Sequence, residues 1–273
     1  MIPEFTPVFS GEHLRAAWFP GTRPLLIVTL DYRKVGRNDF SSPNHSSGFA
    51  RQGYGQLSIS TRRNDWFINP DTEALEKALA EVAAKYTRVQ AIGWSMGAYG
   101  ALRFSRALNL DGVVAISPQW SIARGAIAGD DRYSMEAAGF DAAKGALASH
   151  AKRDLKGVIM VDPFSPHDLA HARAIQSDLP KLKLLRLGFA GHPASRVLKN
   201  AGKTWLIQRE AAMKRQTGAE LIKAHRAARR ESAGYWGRLA QHAALRRPAL
   251  AALAQARAFA LNPLGSDSDA YGG

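Results

Sequence analysis

The sequence predicts an α/β chain: a mostly parallel sheet with helices on both faces, followed by a basic helical C-terminal extension. Three observations carry this. Short apolar, β-branched runs alternate with helical stretches, which calls for βαβ crossovers and a parallel sheet. One such junction is "VQAIGWSMGAYGAL", residues 89–102, where an apolar run meets a helical one at Gly-Trp-Ser-Met-Gly. Strand signals then stop near Ala194, and the remainder is rich in alanine and arginine.

Composition bounds the rest. The chain has 273 residues, 46% of them hydrophobic and 22% charged, enough for one sizeable core with an appendage. Cysteine is absent, which excludes disulfides, thiolate catalysis and cysteine-ligated metals. No run of about 18 apolar residues suggests a transmembrane helix. The N-terminus lacks a basic segment leading into an apolar one, so a cytoplasmic location is expected. The net charge is +14, and residues Arg196 to Arg257 hold 14 basic against 3 acidic side chains. Such a face suits an anionic polymer or a protein partner, or is simply a solvated helical surface.

In chain order, "RPLLIVTLDY" (23–32) reads as a buried strand and "GRNDFSSPNHSSGF" as a long loop. "GQLSIS" (55–60) is a second strand. "DTEALEKALAEVAAKYT" is a helix that Asp71 or Thr72 could cap, with Leu75, Leu79 and Val82 on one face. "RVQAIGWS" is a strand, "MGAYGALRFSRAL" a helix and "LDGVVAISPQW" a strand. Residues 121–155 read as an irregular helical excursion. "KGVIMVDP", "DLAHARAIQSDL" and "KLKLLRLGFAGH" continue as strand, helix and strand. The closing "SDSDAYGG" reads as a disordered tail.

The chemistry centres on Ser95. A serine at an abrupt strand-to-helix turn sits in a strained conformation, so the positions two before and two after must be small. Gly93 and Gly97 meet that need. The helix start behind Ser95 offers backbone N–H groups, and the Met96 amide is the first candidate oxyanion donor. The bland alternative is a glycine-rich bend chosen for packing. A nucleophilic serine needs a base, and His192 in "AGHPAS" is the one histidine of eight in a loop directly after a strand. The acid is Asp162, at the strand end 30 residues before His192, or Asp168 six residues later. Asp162 is favoured, because Asp168 could instead cap the helix "LAHARAI".

With "GWSMG", "LDGVVAISP", "VDPFSPHD" and "AGH" in this order, residues 20–200 resemble the α/β-hydrolase superfamily. The resemblance implies a 1–212 hydrolase domain, with 213–273 as the basic extension and tail. It implies a serine esterase or thioesterase acting on a small-molecule acyl substrate through Ser95, His192 and Asp162 or Asp168, without cofactor. It also implies a second oxyanion donor from the loop after the first central strand, near Asp31 or Tyr32. The His-Gly pair common there is absent. More narrowly, "RRNDWF" with "DPFSPHDLAHA" looks like small bacterial hydrolase-like proteins, some associated with polysaccharide or capsule biosynthesis. The alternative function is therefore a hydrolase-like binding or scaffold protein without turnover.

Other signals rank lower. His167 and His171 are four apart in "HDLAH", but Asp168, one methylene shorter, stands where the zinc-protease pattern has a glutamate, and no third ligand is evident, so no metal is expected. Trp66, Trp94 and Trp120 near strand ends could line an acyl pocket or serve packing alone. The segment "YWGRLAQHAALRRPALAALAQARAFALNP" resembles one tetratricopeptide-like helix pair, which cannot bury its own face.

Overall fold

The computed structural model describes residues 4–262. The predicted tail "SDSDAYGG" lies outside them. Eight strands form one sheet: β1 (Thr6–Ser10), β2 (Leu14–Phe19), β3 (Leu25–Leu30), β4 (Gly55–Thr61), β5 (Arg88–Trp94), β6 (Gly112–Ile116), β7 (Gly157–Val161) and β8 (Leu182–Arg186). The spatial order is β1-β2-β4-β3-β5-β6-β7-β8. From β4 to β8 every pairing is parallel, while β1 and β2 run antiparallel at one edge. That edge hairpin has no counterpart in the sequence reading, because "TPVFSGEHLRAAWF" is short and interrupted by charge.

The helices are α1 (Ser47–Arg51), α2 (Thr72–Ala83), α3 (Met96–Arg103), α4 (Ser134–Ala137), α5 (Leu147–His150), α6 (Pro166–Asp178), α7 (Arg196–Asn200), α8 (Thr204–Ala212), α9 (Ala219–Ala228), α10 (Ala233–Ala243) and α11 (Pro248–Leu261). Strand residues alternate between two faces. Leu26, Val28 and Leu30 of β3 join a core with Leu75 and Leu79 of α2, Ala98 and Leu102 of α3, and Ile175 of α6. Leu25 and Ile27 face the other core, with Phe49 of α1, Leu198 of α7, Ile207 of α8 and Leu221 of α9. Packing therefore runs across residue 212, since Leu221 and Ala224 belong to the same core as Ile207.

Asp71 occupies the N-cap position of α2 but makes no capping hydrogen bond. Its Oδ2 instead accepts from the amides of His13 (2.6 Å) and Leu14 (3.1 Å). The cap expected from sequence is thus spent on anchoring the β1–β2 turn. The excursion at 121–155 contains only the short helices α4 and α5. Among the described residues no helix is long and apolar enough to cross a membrane.

Candidate active site

Ser95 lies between β5 and α3 at φ 49° and ψ −118°, a conformation non-glycine residues rarely adopt. The flanking glycines explain how the chain holds it. A Cβ on Gly93 would stand 2.5 Å from the Gly97 carbonyl oxygen. One on Gly97 would stand 2.7 Å from the carbonyl oxygens of Leu30 and Asp31. Both approaches are to backbone that cannot swing away, so any side chain would open the turn. The second contact also shows that the loop after β3 abuts the start of α3.

The structure brings Ser95 and His192 together. The Ser95 Oγ lies 3.0 Å from His192 Nε2. The other ring nitrogen, Nδ1, lies 2.8 Å from Asp168 Oδ2. An ionised Asp168 can only accept, so Nδ1 carries the proton and Nε2 is free to accept from the serine hydroxyl. Asp168 is buried. Burial pushes its carboxyl up, but the hydrogen bond to His192 and the charges of His192 and Arg132 outweigh this and hold it below the usual carboxylate range.

The preference for Asp162 is corrected by this geometry. The carboxylate of Asp162 accepts from the amides of Phe164 (3.0 Å), Phe189 (3.0 Å) and Gly191 (2.8 Å). It ties the loop after β7 to the loop that carries His192, while the imidazole is hydrogen-bonded to Asp168 and Ser95 instead. Asp168 is not a helix cap either: α6 starts at Pro166 with Ser165 as N-cap, which puts Asp168 inside the first turn. There its side chain points from α6 toward His192.

Gln119, Asp130, Arg132 and Tyr133 complete the surroundings together with His171, and the sequence reading missed these four. Arg132 Nη1 donates to Asp168 Oδ1 (2.7 Å), while its Nε and Nη2 donate to the two oxygens of Asp130 (2.8 and 2.7 Å). Asp130 Oδ2 in turn lies 2.9 Å from His171 Nε2. His171 Nδ1 accepts from the Trp120 amide (3.0 Å), so this ring is neutral with its proton on Nε2. Burial holds its pKa below the ordinary value, in agreement. Gln119 is fully buried, and its Nε2 lies 3.2 Å from Ser95 Oγ, from the Ser117 carbonyl and from the Tyr133 hydroxyl. Its Oε1 accepts from Trp66 Nε1 at 3.0 Å. Gln119, in "SPQW" directly after β6, carried the one usable signal: a polar residue where a buried strand ends. Asp130, Arg132 and Tyr133 lie in the excursion, where no periodicity exists to place them.

The oxyanion candidates divide. Met96 opens α3 directly after Ser95. The Asp31 amide extends the β3–β4 ladder by donating to the Ile59 carbonyl (3.0 Å), so it is engaged, which leaves Tyr32 of that pair. The Asp31 carboxylate pairs with Arg37 at 2.7 Å. The next loop residue, Arg33, pairs with Glu136 of α4 at 2.7 Å and so ties the loop to the excursion.

The three tryptophans are all hydrogen-bonded. Trp66 packs on Tyr133 with ring centroids 4.7 Å apart. Trp94 Nε1 donates to Ser195 Oγ and Trp120 Nε1 to Asp178. Trp66 therefore supports Gln119, and only Trp94 lines one of the two cavities described, a space of about 380 Å³ with Thr29, His45 and Gln208. The other, of about 340 Å³, is lined by Ser121, Ile122, Arg124, Asp130, Tyr133 and His171 among others, and shares Tyr133 with the serine's surroundings. His171 is committed to Asp130 and the Trp120 amide, and among the described residues no group of three or more His, Cys, Asp or Glu could hold a metal.

No protein-family model and no curated protein sequence matches the chain. Solved structures do. The capsule O-acetyltransferase of Neisseria meningitidis serogroup A is similar at 16% identity, covering 73% of this chain and 93% of that one, with a TM-score of 0.51. The brefeldin A esterase, a bacterial homologue of human hormone sensitive lipase, is similar at 15% identity, covering 82% of this chain and 77% of that one, with a TM-score of 0.50. At such identities the likeness concerns the fold. Together with the sheet order and the strained turn at Ser95, it identifies the chain as having the α/β-hydrolase-type fold.

Proposed function

We propose that the protein is a serine acyl-transfer enzyme of the esterase or thioesterase kind, with Ser95 as nucleophile, His192 as base and Asp168 as the acid partner. The observation that carries this reading is the continuous hydrogen-bonded line from Ser95 Oγ through His192 to Asp168.

In this reading His192 Nε2 takes the serine proton as Oγ attacks the acyl carbonyl. The protonated imidazole is stabilised by Asp168, and Arg132 keeps that carboxylate ionised and oriented. The amides of Met96 and Tyr32 are the candidate donors to the oxyanion. His192 then returns the proton to the leaving alcohol or thiol. Water, activated by the same imidazole, releases the acyl group from Ser95. A hydroxyl acceptor in place of water would make the same acyl-enzyme a transferase, an activity named for one of the similar folds, the capsule O-acetyltransferase. Gln119 donating to Ser95 Oγ orients the oxygen's lone pairs and leaves its proton directed at His192.

Labelling with a fluorophosphonate probe tests this. The wild-type chain is expected to label at Ser95 and the S95A variant not at all. Equal labelling of the two, or none of the wild type, would overturn the proposal in favour of a hydrolase-like binding protein.

A further inference from the structure

The helical pair α10–α11 turns one apolar face to solvent. On α11 the inward side consists of Ala254, fully buried, and Leu250, Ala251, Ala258 and Leu261, partly buried. The outward side carries Ala249, Ala252, Leu253, Ala256, Phe259 and Ala260, all exposed. Their spacing of three and four residues places them on one stripe of the helix. Leu253 is 71% and Phe259 64% exposed, and Leu245 in the turn before α11 is 98% exposed. A helix apolar on every side normally lies in a core. Here half of it lies against solvent, over 14 residues or about 21 Å of length.

The charge around this stripe says what it fits. Residues 229–257 hold one glutamate and six arginines, of which Arg238 turns to the inner side. Arg246 and Arg247 are exposed directly beside Leu245. Arg257 borders the stripe on α11, where it pairs with Glu231. A second copy of the chain would set two arginine-rich faces against each other. A nucleic acid would satisfy the arginines but leave Leu245, Leu253 and Phe259 without a reason to be there. An anionic lipid surface satisfies both, with the apolar stripe at the acyl boundary and the arginines at the phosphates.

We propose that the outer face of α11 and the Leu245 turn dock on an anionic lipid surface, the helix lying in its plane. The inner side of the pair already braces the loop of the candidate active site. Arg238 Nε donates to the Phe189 carbonyl (2.9 Å), and the His242 ring contacts Phe164 and Phe189, which stack at 4.0 Å. Docking would therefore engage the helix pair that braces the loop preceding His192.

Flotation of the full chain with vesicles of phosphatidylcholine alone, or of phosphatidylcholine with phosphatidylglycerol, tests this independently of acyl transfer. The wild type is expected to bind the phosphatidylglycerol vesicles about tenfold or more tighter, with affinity falling as salt rises. L253D/F259D should weaken binding more than about tenfold with an unchanged melting temperature, because both side chains already face solvent. R246Q/R247Q should weaken it about tenfold and flatten the salt dependence. Absent binding, equal binding to both vesicle types, or undiminished binding by L253D/F259D would overturn the proposal. So would a wild-type dimer that L253D/F259D converts to monomer, or binding to duplex DNA without binding to vesicles.

Discussion

Ser95 and Asp168 reach His192 from opposite sides and are held there by different means. Ser95 is fixed by a five-residue backbone turn that abuts the carbonyls of Leu30 and Asp31. Gly93 and Gly97 admit backbone contacts that no side chain would allow, and the turn follows from them. Asp168 is fixed by residues far along the chain: Arg132 is 36 residues before it, and Asp130, His171 and the Trp120 amide extend the network. A serine held by backbone contacts at a short turn should tolerate changes in distant side-chain packing. An acid held by a network should not.

The largest expected effect tests the serine side. S95A should lower acyl-transfer turnover roughly 10⁴-fold or more at unchanged melting temperature, since only a hydroxyl is removed. Substitution of Gly97 by valine should abolish turnover together with the native turn. A Gly97→Val enzyme that keeps its rate would break the claim of local control.

Next comes the acid. D168N should cost about 10⁴-fold in kcat with the fold intact, because the neutral amide no longer favours the required imidazole tautomer. D162N should do the reverse. It weakens three amide contacts that join two loops, so stability should fall by about 1–3 kcal/mol while kcat falls much less. A D162N variant that loses turnover at full stability would reverse the assignment. Paired measurements of kcat and melting temperature decide it.

A smaller effect is expected at Arg132. R132Q should lower kcat by on the order of 100-fold through misplacement of Asp168. R132K, which keeps the charge but not the fork to Asp130, should recover part of the rate.

The smallest effect is on stability against pH. Burial keeps the His171 pKa below the ordinary value, so the unfolded chain binds the proton first. Stability from this residue is present above about pH 6.5 and is lost as the pH falls through that value. Asp168, also lowered, contributes stability that is present above about pH 3.9 and lost below it. Thermal melts should therefore show a lower Tm at about pH 5 than at about pH 7.5, and H171Q should reduce that difference. An unchanged slope in H171Q would remove His171 from the network's energetics.

Much of the architecture was legible. The alternation of apolar runs and helices pointed to a mostly parallel sheet, though not to its strand order, because strands buried on both faces read as continuous apolar segments. The edge hairpin β1–β2 was missed, since its charged and exposed residues break the pattern. The Ser95 turn and the loop position of His192 were legible because each depends on a few neighbouring residues. The choice between Asp162 and Asp168 was not. Both follow β7, and which carboxylate turns to the imidazole depends on where α6 begins and on Arg132, whose loop has no repeating pattern.

The sequence by itself determined the alternation of strands and helices, the strained turn at Ser95 and the loop position of His192. Each follows from local sterics or from periodic burial. The tertiary structure alone decided that Asp168 faces His192, that Gln119 donates to Ser95 and that one apolar side of α11 faces outward. These follow from packing between segments distant in sequence, where the partner of a side chain is set by the path of the whole chain.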